Sequence, residues 1–62
     1  MSLVWLSDAV NGGKVAINPD YVVAVFVAKE GQVEGKTIVS LINGTIPVDE
    51  TDLEVVTLVN GG

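Results

Sequence analysis

The chain has 62 residues, 48% of them hydrophobic, and eight acids against three lysines (Lys14, Lys29 and Lys36) give a net charge of −5. It has no cysteine, histidine or arginine. That excludes disulfides, the common zinc sites, His- or Cys-based catalysis, and bidentate arginine contacts to phosphate or guanine.

Residues 3–6 (LVWL) read as a first short strand. The following SDAVNGG, residues 7–13, turns the chain because Asn11 and Gly12 accept positive φ. Residues 14–17 (KVAI) resume a strand with Val15 and Ile17 on one face, and Asn18-Pro19-Asp20 bends it, since proline has no N–H for a central ladder. Residues 21–29 (YVVAVFVAK) are the strongest strand, β-branched or aromatic and apolar on both faces. Such a strand calls for cover on both sides, in a barrel or at a subunit interface.

A polar hairpin loop, residues 30–35, leads to a strand over 36–43 with Thr37, Val39 and Leu41 on one face and Ile38, Ser40 and Ile42 on the other. Asn43-Gly44 is a type I′ hairpin signal. Residues 45–48 (TIPV) return as a strand, with Pro47 directing its missing N–H away from the ladder. Residues 49–52 (DETD) form a polar turn. The final segment has two readings. Four β-branched residues among 55–59 (VVTLV) favour a strand after a 3-10 turn near 50–53. Thr51-x-x-Glu54 is a capping box and Asn60-Gly61 a stop, which favour a short helix. The strand is the expectation and the helix the alternative.

The length allows one domain, whose core would supply only about 3–5 kcal/mol of net stability. With no disulfide or zinc site to help, the apolar excess points to a homo-oligomer. An apolar edge strand at 55–59 would be an aggregation hazard unless paired. The expected subunit contact joins Val55, Val56, Leu58 and Val59 of one copy to Ile38 and Ile42 of a neighbour.

The order of elements (a first strand, a long strand bent near its middle, a hairpin, an Asn-Gly hairpin, a tight turn and a short last strand) resembles the Sm-like (Sm/LSm/Hfq-type) small β-barrels. Val39 to Val59 is similar to their second motif, and in size and pattern the chain resembles small proteins of cyanophage origin. Asn11-Gly12 with Ile17-Asn18-Pro19-Asp20, and Leu41-Ile42-Asn43-Gly44, also resemble the short flagellar-operon protein family. The Sm-like resemblance implies an all-β, five-stranded, strongly bent barrel over residues 1–62, assembled as a cyclic ring of about five to seven copies. It also implies RNA or single-stranded DNA at the ring's inner rim. Asn43-Gly44 stands where Sm proteins have Arg-Gly, and Glu50-Thr51 where Hfq has Lys-His, so the rim would be acidic.

Candidate base or phosphate contacts are Asn43, Gly44 and Asn18, with Lys29 and Lys36 bracketing one hairpin as a weakly basic face. Turn formation explains Asn43, Gly44 and Asn18 equally well, and solvated strand ends explain the lysines. Trp5, Tyr21 and Phe26 are expected in the core or an interface, with base stacking the alternative for Tyr21 and Phe26. Asp49, Glu50, Asp52 and Glu54 lack calcium-loop spacing and are expected to solubilise a turn. No metal, cofactor or catalytic residue is expected: Ser2, Ser7 and Ser40 have no recognisable activating partner, and the glycines form no phosphate cradle. The longest apolar run, residues 21–28, is too short to span a bilayer, and no secretory signal is visible. The expectation is a cytoplasmic protein, of the host cell if phage-encoded. Two functions follow: a nucleic-acid accessory of Sm-like type, or a structural or protein-interaction ring without a nucleic-acid partner.

Overall fold

A computed structural model of the protein describes residues 2–61. These residues are mostly β. The strands are β1 (Val4–Ser7), β2 (Lys14–Ile17), β3 (Val22–Val27), β4 (Thr37–Leu41) and β5 (Gly44–Val48), followed by a helix, α1 (Asp52–Gly61).

β1 and β2 form an antiparallel hairpin. Its loop is held by the Asp8 carboxylate, which accepts the N–H groups of Val10 (2.8 Å) and Asn11 (3.0 Å). Gly12 takes φ +80°, as its turn position requires. β2 and β3 are the two halves of the expected bent strand. The bend is a 3-10 turn, Pro19–Tyr21, capped by Asn18, whose side-chain oxygen accepts the Asp20 N–H at 2.9 Å. β3, β4 and β5 make an antiparallel meander with a bulge between Val22 and Ala24.

The two sheets meet through one bridge, Asp8 with Val48, flanked by Ala9 N–H to the Pro47 carbonyl and Asp49 N–H to the Ser7 carbonyl, both 2.9 Å. Pro47 therefore turns its carbonyl, and with it the side lacking an N–H, away from β4, as expected. No ladder among the described residues closes the sheets into a barrel.

The core follows from strand alternation. Val4 and Leu6 of β1, Ile17 of β2, Val39 of β4 and Val48 of β5 point inward and meet Val55 of α1. Thr37 and Val39 are buried and Leu41 is half-buried on the same face, as the sequence predicts. Ile38 is also buried, but on the opposite face, in register with Phe26 and Pro47.

Three expectations need correction. The final segment is the helix α1, so the fold is not all-β. Its start is the capping box: Thr51 Oγ1 accepts the Glu54 N–H (3.1 Å), Glu54 Oε1 accepts the Thr51 N–H (3.0 Å), and Val55 N–H donates to the Thr51 carbonyl (3.0 Å). The β-branched residues cost a helix only a few tenths of a kcal/mol each. Burying Val55 and Val59, one turn apart, offsets that cost. A helix uses its backbone groups internally, so 55–59 cannot pair as an edge strand with a neighbour.

Second, of the two kinds of cover expected for β3, a barrel or a subunit interface, the chain does not supply the barrel. β3 is an edge strand, and Val23, Phe26 and Val27 are exposed. Third, the β4–β5 turn places Ile42 and Asn43 between the paired Leu41 and Gly44. No described non-glycine residue has positive φ, which excludes type I′ at that turn. Gly44, at φ +156°, follows the two central residues, where type I turns favour glycine.

Candidate interaction surface

Most of the polar candidates are committed to holding the fold. Ser7 sits at the centre of one network. Its N–H donates to both Glu50 carboxylate oxygens (2.8 and 3.1 Å), and its hydroxyl donates to Glu50 Oε2 (3.0 Å) while accepting from Lys14 Nζ (2.9 Å). Partial burial raises the Glu50 pKa, but the Ser7 N–H, its own backbone, the Ser7 hydroxyl and Lys14 together lower it below the ordinary carboxylate range. The Asp8 carboxyl is likewise lowered, chiefly by the Asn11 and Val10 N–H groups.

Lys36 pairs with Asp49 at 2.8 Å, both side chains about half exposed. The acidic turn therefore draws in two of the three lysines: Lys36 by direct pairing, Lys14 through Ser7. Lys29 lies exposed beyond β3 with no ion pair among the described residues, so Lys29 and Lys36 do not form a free basic face. Asn43 and Gly44 sit exposed at the β4–β5 turn, and Asn18 gives its oxygen to the bend.

Sequence reasoning missed the Lys14–Ser7–Glu50 network because its members are far apart along the chain. A lysine beside a serine invites comparison with a nucleophile–base pair. Here Lys14 is exposed, a carboxylate receives the serine hydroxyl, and neither groove described below reaches these residues. The network is a tether between β1 and the turn before α1. No group of three or more metal-ligating side chains occurs among the described residues.

The apolar surface is the more distinctive feature. α1 packs on β3 and β1 with only Val55 buried and Val59 half-buried. Leu53 is 73% exposed, and Val56 and Leu58 are also exposed. Beside the helix, Leu3 and Trp5 project from the start of β1, with Trp5 66% exposed. A groove of about 460 Å³ lies between them, lined by Leu3, Val4, Trp5, Thr57, Leu58 and Gly61. A second groove, of about 350 Å³, continues it across Leu53, Glu54, Thr57 and Leu58.

With an aromatic side chain contributing about 150–250 Å², this patch presents on the order of 500 Å² of apolar surface, near the upper end for a lone soluble domain. A second, separate apolar row crosses the outer face of the meander, where Phe26 is half exposed beside buried Ile38 and half-buried Pro47.

The expected interface residues divide accordingly. Val56 and Leu58 lie in or beside the helix patch; Val55 belongs to the core; Val59 flanks the core; Ile38 is buried under the outer row; Ile42 is exposed at the β4–β5 turn. No described helix is long and apolar enough to cross a membrane. No family model, curated protein or solved structure matches the chain.

Proposed function

We propose that this protein is a protein-interaction module that works as an assembly of its own copies. One observation carries the reading: beyond the side of α1 that packs on the core, Leu53, Val56 and Leu58 stand exposed, and Leu3 and Trp5 extend that apolar surface. An apolar patch of this size on a small domain marks an interaction site, and a chain this short can cover it only with other chains. The engagement of Lys14 and Lys36 by the acidic turn supports the same reading, because it leaves few cations for phosphate.

A second reading is an Sm-like ring of about five to seven copies that binds RNA or single-stranded DNA. It draws support from the order β1, bent β2–β3, β4, β5 and from Tyr21 and Phe26, both about half exposed and available for stacking.

One experiment separates the two readings: fluorescence anisotropy of short labelled U-rich and A-rich RNA and single-stranded DNA at about 50 and 200 mM salt, run beside light scattering on the same protein. The assembly reading expects a mass above that of one chain and no saturable nucleic-acid binding at either salt. Saturable binding that weakens with salt would replace it with the second reading.

A further inference from the structure

We infer that the patch formed by α1 and the start of β1 is a two-fold seat for a second copy of this chain, with the two helices packed antiparallel about Thr57. The inference rests on the self-association reading above and says where and how the copies meet.

The residues facing away from the core are Leu53, Thr57 and Gly61, spaced by four and therefore one row on the helix surface. The row runs from the largest, most exposed side chain, Leu53, through a mid-sized one to no side chain at all. An antiparallel pairing centred on Thr57 sets Leu53 of each copy opposite Gly61 of the other, so a protrusion meets a depression twice. A two-fold contact requires that self-complementarity, since the same patch must serve both sides. The groove lined by Leu3, Trp5, Leu58 and Gly61 lies at the end of the row where the second copy's Leu53 arrives, and Trp5 forms its wall.

Charge agrees with this orientation. The two acids of α1, Asp52 and Glu54, are both in its first turn. In the antiparallel pair they lie at opposite ends of the interface, each beside the other copy's uncharged Asn60 and Gly61. A parallel pair would bring all four together in chains that each carry −5. Area is sufficient: two facing patches remove about 1,000 Å² before polar neighbours are counted, the threshold for a specific interface.

Trp5 is the only tryptophan, so its emission reports on the seat directly. The test is sedimentation equilibrium with tryptophan emission and acrylamide quenching, over a concentration series of the full chain. The wild type is expected to move from monomer to dimer as Trp5 emission shifts to the blue and quenching falls. Thr57→Lys, which places a charge at the axis, is expected to raise the dimer dissociation constant about thirtyfold or more, as loss of a central hot spot does. Leu53→Glu should act likewise. Both positions are exposed, so circular dichroism should show an unchanged fold.

Phe26→Lys, on the outer face of the meander, should leave dimerisation intact. An oligomer that survives both helix substitutions and yields to Phe26→Lys would overturn the seat while leaving self-association standing. A wild type that stays monomeric throughout, with Trp5 emission independent of concentration, would overturn both.

Discussion

Removing the Glu50 carboxylate, as in Glu50→Ala, should loosen the join between the two halves of the molecule. Glu50 accepts from two donors on Ser7, 43 positions away in sequence, the N–H at 2.8 Å and the hydroxyl at 3.0 Å. A hydrogen bond to a charged group contributes about 1.5–3 kcal/mol when well buried. Both residues are only partly buried, so water replaces part of the loss, and the two bonds together should come to about 2 kcal/mol. Against the roughly 3–5 kcal/mol expected for a core of this size, that is a large share. At about 4–8 °C per kcal/mol, the midpoint should fall by about 8–16 °C.

Glu50→Gln keeps one acceptor and loses the charge, so it should cost about half as much. Ser7→Ala removes only the hydroxyl and should cost less than Glu50→Ala. Thermal and urea unfolding followed by circular dichroism, at one fixed protein concentration because association shifts the midpoint, measures all three. A Glu50→Ala variant within about 0.5 kcal/mol of wild type, the range of an ordinary surface change, would refute the tether.

Three further outcomes follow. Val55→Ala removes a fully buried side chain and should cost about 2 kcal/mol by urea unfolding, whereas Val56→Ala at low concentration should stay within about 0.5 kcal/mol. Thr51→Ala opens the capping box and should cost about 1 kcal/mol, with a loss of helical signal at 222 nm. Asp8 and Glu50 both have folded-state pKa values below their unfolded ones. The stability they confer is therefore complete above the ordinary carboxylate range and drains away as pH falls through their lowered values. A pH series of urea midpoints should be flat near neutrality and decline on the acid side, with a shallower decline in Glu50→Gln.

The strands were legible because alternation and β-branching are local properties. The faces of β4, the bend at Pro19 and the outward N–H side of Pro47 all follow from residue type at a given spacing. The end of the chain was harder because two local signals conflict there. Propensity over 55–59 argues for a strand, and the Thr51–Glu54 box argues for a helix. The box prevails once Val55 and Val59 find the core, and the core is assembled from distant strands.

Trp5, Tyr21 and Phe26 illustrate a second limit. Pattern assigns a side chain to a face but does not say whether anything covers that face. Here one short helix covers part of one side, leaving these aromatics exposed. The Ser7 network was illegible for a related reason: its carboxylate and its hydroxyl meet only after β5 has returned beside β1.

The most direct test of assembly through apolar surface is sedimentation equilibrium of the wild-type chain at low and high salt. Copies that each carry −5 repel one another, and salt screens that repulsion without weakening apolar contacts. The account predicts an oligomer whose association constant holds or rises with salt. A single-chain mass at every concentration, or an assembly that dissolves as salt is added, would contradict it.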